Sequence, residues 1–122
     1  MNEPSLTRPA LAALVPAGLI AAAWASRRFT RVAVEGDSMR PAFAPGDRLL
    51  VLRTERVRPG EVVVVRDPRH EASLWVKRVR DVTDDGIDVR GDDPARSTDS
   101  RHVGPIPRRL VVGRVVRRYA EG

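Results

Sequence analysis

Apolar and polar positions divide this chain into two unlike parts. Residues 9–26, from Pro9 to Ser26, are an uncharged stretch of 18 rich in Ala and Leu, closed by Arg8 on one side and Arg27-Arg28 on the other. From Thr30 onward the pattern changes to short apolar runs separated by Pro, Gly and Asp turns, which is a strand pattern. Val32-Ala33-Val34 predicts a short strand. Asp47 to Leu52 predicts a second after the turn Pro45-Gly46, and Glu61 to Val65 a third after Arg58-Pro59-Gly60. The unbroken valines of that third run predict a strand buried on both faces. Ser73 to Val79 follows. Asp84-Asp85-Gly86 then reads as a hairpin turn into Ile87-Asp88-Val89-Arg90, and Leu110 to Val116 is the last strand. No helical period of useful length occurs after residue 30. The expectation is a polar tail (1–8), an apolar segment (9–26) and one mainly β domain (30–119).

Three readings fit the apolar segment: a single membrane anchor, a cleaved leader ending at Ala23-Trp24-Ala25, or a helix packed on the domain. Its length is near the lower limit for a spanning helix, and Pro16 and Gly18 interrupt it. The anchor is the expectation carried forward, with the full chain associated with a membrane.

Composition narrows the chemistry. With 122 residues the chain holds one domain with a modest core. The absence of cysteine excludes disulfides and thiolate metal sites, and His70 and His102 are too few for a multi-histidine centre, so no metal and no cofactor is expected. The net charge is +6, but the arginines are spread along the chain and aromatic residues make up only 4%, so a base-stacking surface is not expected and nucleic acid is not expected as a partner.

Of 22 basic residues 21 are arginine, and 22 − 21 leaves Lys77 as the only lysine. Guanidinium stays protonated in ordinary sites, whereas a desolvated amine can lose its proton and act as a base. At period two, Trp75, Lys77 and Val79 share one strand face, and Val76, Arg78 and Arg80 the other. A lone lysine is more often a surface residue without a role, so it needs a partner. Glu35-Gly36-Asp37-Ser38-Met39-Arg40-Pro41 supplies one: a serine after a permissive glycine and just ahead of a proline. A serine hydroxyl becomes a nucleophile when a base removes its proton, and a neutral lysine can be that base.

A third block, Gly91-Asp92-Asp93 with Ser97-Thr98-Asp99-Ser100-Arg101 and Gly104, completes a pattern. Ser38-Met39-Arg40-Pro41, Gly46 to Val51, Lys77-Arg78-Val79 and this closing block together resemble, in order and spacing, the type I signal peptidases, which are Ser/Lys proteases. The resemblance covers about Val34 to Val115. It implies the signal-peptidase/LexA-like β fold, Ser38 as nucleophile and Lys77 as general base. Ser97 would orient the Lys77 amine, and Asp99 and Arg101 would pair behind it. Val34, Phe43, Trp75 and Val76 would form substrate-binding subsites for small side chains. The implied substrate is an extended segment of a preprotein, cut after small residues. Gly36 stands where some relatives have a serine that gives a second oxyanion donor, and Asp93 stands in place of the usual asparagine.

Other readings compete. A propeptide-removing protease that matures nickel-type superoxide dismutase is one. It would suit a domain held in the cytoplasm by Arg27, Arg28 and Arg31 after the apolar segment, whereas the signal-peptidase resemblance implies a domain on the outer side, the expectation retained. A self-cleaving LexA-type domain, a non-catalytic β domain for anionic partners, and a Ser-His-Asp hydrolase using His70 or His102 are the others.

Overall fold

The computed structural model describes residues 16–122. An N-terminal helix α1 (Ala17–Arg28) runs directly into β1 (Phe29–Ala33). It is followed by β2 (Arg48–Leu52), β3 (Val62–Asp67), β4 (His70–Thr83), β5 (Gly86–Arg90), a one-turn helix α2 (Ser100–Val103) and β6 (Val111–Ala120). All six strands form one antiparallel sheet in the order β1-β2-β6-β3-β4-β5. The domain is therefore mainly β, as the alternating pattern predicts.

The valine run explains the centre. Val63 and Val65 enter one apolar cluster with Val79, Ile87, Val89, Ile106 and Leu110. Val64 points to the other side, into a second cluster with Val34, Met39, Leu49, Val51 and Val76. All three valines are fully buried, and a valine buried this way contributes roughly 1.5 kcal/mol or more. A strand flanked by β6 and β4 and covered on both faces needs no polar face, so its sequence does not alternate.

Some boundaries differ from expectation, each for a local reason. The first strand begins at Phe29, because α1 ends there and Phe29 pairs with Leu52. Val34 falls beyond it, though its N–H still donates to the Asp47 carbonyl at 2.8 Å. β4 runs on to Thr83 through Arg80 and Asp81, whose polarity hides the strand, because pairing with β5 continues across the Asp84-Asp85 turn. β6 extends past Val116 to Ala120, with the exposed Arg117 and Arg118 held by pairing with β2. Pro16 stands at the N-cap of α1, where its missing N–H leaves no bond of the described helix unmade, and Gly18 lies within α1.

The apolar segment is only partly within view, since residues 9–15 lie outside the described residues. α1 buries none of its residues, and Leu19, Ile20 and Trp24 are exposed. It therefore does not pack on the domain, which removes the third reading for its described part. Among the described residues no helix is long and apolar enough to cross a membrane.

Candidate active site

Two strand edges border the candidate site. Among the described residues β1 ends the sheet and pairs only with β2. The first part of β4, His70 to Lys77, pairs only with β3, because β5 begins to pair at Arg78. Residues of both stretches line one open cleft of about 770 Å³, together with Gly36, Asp37, Ser38, Arg96 and Thr98. Ser38 and Lys77, 39 positions apart in sequence (77 − 38), thus open on the same space.

β4 positions the lysine. Its alternation puts Trp75 and Val79 against the first apolar cluster and Val76 into the second. Lys77 follows Trp75 and Val79, with its Nζ 5.5 Å from the Trp75 ring centroid. Only 4% of the residue is exposed. This burial pushes the amine below the ordinary lysine value. The Asp99 carboxylate opposes that shift and the Arg101 guanidinium adds to it.

The segment after β5 completes the environment of the amine. Lys77 Nζ donates to Ser97 Oγ at 3.0 Å, and Ser97 Oγ donates to Asp99 Oδ2 at 2.6 Å. The serine proton is committed to the carboxylate, so toward the lysine its oxygen acts as acceptor. A neutral Lys77 amine held this way keeps its lone pair for another partner.

Asp99 is fully buried and well satisfied. Burial would raise its carboxyl, but hydrogen bonds from Arg101, Ser97 and the backbone N–H groups of Gly91 and Arg101 outweigh this and hold it far below the usual carboxylate range. Arg101 Nη2 lies 2.6 Å from Asp99 Oδ2. Asp99 also caps α2, whose His102 Nδ1 accepts from the Asp99 N–H at 3.2 Å.

The serine loop is tied to this segment. The Asp93 N–H donates to the Ser38 carbonyl at 2.8 Å. Gly91 is wedged between the two parts: a Cβ placed on it would stand 2.3 Å from Ser97 Oγ and 2.7 Å from the Ser38 carbonyl oxygen. Only a glycine permits that approach. Beside Lys77, Arg78 reaches the opposite way and holds Asp92 in a two-pronged pair at 2.9 and 2.8 Å. Among the described residues the Ser38 N–H donates to no backbone acceptor, and Gly36 two residues earlier has φ +71°.

Of the residues expected to form subsites, Trp75 and Val76 line the cleft. Val34 and Phe43 do not. Val34 is 4% exposed within the second apolar cluster, and Phe43 packs against that cluster. Val32, Ala33, Leu74, Arg96 and Thr98 line it instead. The edge position of β1 and β4 selects them, and that position cannot be read before the strand order is known. Neither histidine lines the cleft; His70 is exposed at the start of β4 and His102 serves the Asp99 cap. Among the described residues no cluster of His, Asp or Glu could hold a metal ion.

One sheet thus carries a buried lysine and a half-buried serine on a common cleft. Residues 7–93 match the family described as signal peptidase, peptidase S26, and the chain belongs to that family. The match takes in Ser38, Lys77 and Gly91, and ends before Ser97. The chain is 31% identical over 108 residues to mitochondrial inner membrane protease subunit 2 of Schizosaccharomyces pombe, covering 68% of this chain and 60% of that protein. It is 30% identical over 108 residues to mitochondrial ATP-independent inner membrane protease subunit 1b of Arabidopsis thaliana, covering 66% of this chain and 64% of that protein. The chain thus spans somewhat under two thirds of the length of these relatives.

Proposed function

We propose that this chain is a serine endopeptidase with a Ser38/Lys77 dyad, which removes N-terminal segments from preproteins after small residues. The observation that carries the reading is the buried Lys77 amine, lowered by desolvation, anchored on Ser97 and open to the same cleft as Ser38. The neutral amine takes the Ser38 hydroxyl proton as Oγ attacks the scissile carbonyl. The Ser38 N–H, which donates to no backbone acceptor among the described residues, is available to the oxyanion. Lys77 then gives the proton to the leaving amine, and water releases the acyl group from Ser38 by the same route in reverse. Ser97, Asp99 and Arg101 position the base.

The unpaired edges of β1 and β4 offer main-chain hydrogen bonds to an extended peptide, which would lie in the cleft as an added strand. Trp75 and Val76 would form the walls for the small side chains before the cut. Two relatives are named as inner membrane proteases, which supports work at a membrane with α1 and the segment before it as the attachment. The domain would stand on the outer side of that membrane. Nothing among the reported relatives favours superoxide dismutase maturation.

A test is product mapping by mass spectrometry. A soluble peptide containing Ala-x-Ala should be cut after the second alanine. No cleavage, or a cut placed without regard to the small residues, would refute the proposal.

A further inference from the structure

Next to the main cleft, and sharing Arg31, Val32, Ala72 and Leu74 with it, lies a second hollow of about 430 Å³. Its charges differ in kind. The main cleft mixes Glu35, Asp37 and Asp67 with Arg31, Lys77 and Arg96. Among the described residues the second hollow is lined by Arg31, Arg53 and Arg66 and by no acidic residue. Among the described residues none of these three arginines has a carboxylate partner. Arg31 lies over the Tyr119 ring at 5.6 Å. Arg66 donates to the Glu71 carbonyl oxygen at 3.0 Å, while the Glu71 carboxylate is taken by Arg109 at 3.1 Å. Three guanidinium groups around one small hollow repel one another, so an anion placed there would be favoured.

The continuity with the cleft says what would bring the anion. From Lys77 back to Ala72 the free edge of β4 runs five residues (77 − 72), or roughly 17 Å at about 3.3 Å per residue. A peptide strand lying along that edge with its scissile bond at Ser38 would pass over the arginines about four to six residues from the cut. We propose that this hollow is a cationic exosite for the substrate, which selects peptides carrying Asp or Glu at that distance on one side of the scissile bond. The inference rests on the peptidase reading and adds a substrate class to it.

The test uses the full chain and a neutral Ala-x-Ala parent peptide. Derivatives carry a Glu pair four to six residues before or after the cut, each with a matched Gln control. Cleavage of the parent reads the peptidase proposal alone. The exosite predicts that Glu on one side raises kcat/KM about 3- to 10-fold over Gln through KM, the scale expected of two exposed ion pairs. The gain should shrink at high salt and vanish in an Arg53→Gln/Arg66→Gln variant that still cleaves the Gln peptides normally. Fluorescence anisotropy of the same peptides on Ser38→Ala reads the preference without turnover. Equal values for Glu and Gln on both sides, or a preference that survives the double substitution, would overturn the exosite while leaving the dyad standing. So would loss of binding to phosphatidylglycerol vesicles in the double variant with peptide selectivity unchanged, which would assign the arginines to lipid headgroups.

Discussion

Ser97→Ala isolates the link between the base and its support. The substitution removes the acceptor that Lys77 Nζ meets at 3.0 Å and the donor that Asp99 receives at 2.6 Å. Asp99 keeps its bonds from Arg101 and from the Gly91 N–H, so the carboxylate remains satisfied. The lysine loses its one side-chain hydrogen-bond partner among the described residues. A hydrogen bond to a charged group is worth about 1.5–3 kcal/mol, and Lys77 carries its charge as it accepts the Ser38 proton. If that bond supports the transition state, kcat falls about 10- to 150-fold, at one decade per roughly 1.4 kcal/mol. Peptide binding should be little changed, because Ser97 is buried and does not line the cleft. The assay is steady-state cleavage of an Ala-x-Ala peptide, with thermal unfolding as a control that the domain still folds. An unchanged kcat, or a loss confined to KM, would refute the role assigned to Ser97.

Activity should rise with pH through an apparent pKa below that of free lysine, because burial lowers the Lys77 amine and only its neutral form accepts a proton. Between that lowered value and the ordinary one the unfolded chain holds more protons, so this residue's share of stability also rises with pH there; rate and denaturant titrations across alkaline pH check both, and a rise only near the free-lysine value contradicts the burial. Gly91→Ala puts a methyl group 2.3 Å from Ser97 Oγ and 2.7 Å from the Ser38 carbonyl, so stability should fall by about 1–3 kcal/mol and activity far more; near-wild-type rates would mean that the loops tolerate separation. A chain starting at Arg27 should lose membrane co-sedimentation yet stay free of aggregation, since α1 buries none of its residues on the domain, and aggregation by light scattering would count against this.

Much of the sheet was legible because its physics is local. The valines of β3 and the Trp75-Lys77-Val79 alternation fix burial and facing without knowledge of the partners. The Asp84-Asp85 turn fixes the last hairpin. Boundaries were less legible where pairing overrides polarity, as at Arg80-Asp81 and Arg117-Arg118. The candidate site rests on chemistry and resemblance. A single lysine drew attention to itself, but Ser97 lies in an irregular segment between a 3₁₀ turn (Pro94–Arg96) and α2, where no period points at Lys77. The resemblance implies Val34 and Phe43 as subsite residues beside Ser38. Burial in the second cluster takes them inward, and the free edges of β1 and β4 supply the walls instead.

The most direct test of the Ser38/Lys77 dyad is the cleavage rate of one Ala-x-Ala peptide by the wild type, Ser38→Ala and Lys77→Arg, each shown to be folded by circular dichroism. Arginine keeps the charge and most of the length of lysine but cannot give up its proton near neutral pH. The dyad predicts that the wild type cleaves and that both variants fall to background. Cleavage by either variant at the wild-type rate would contradict it.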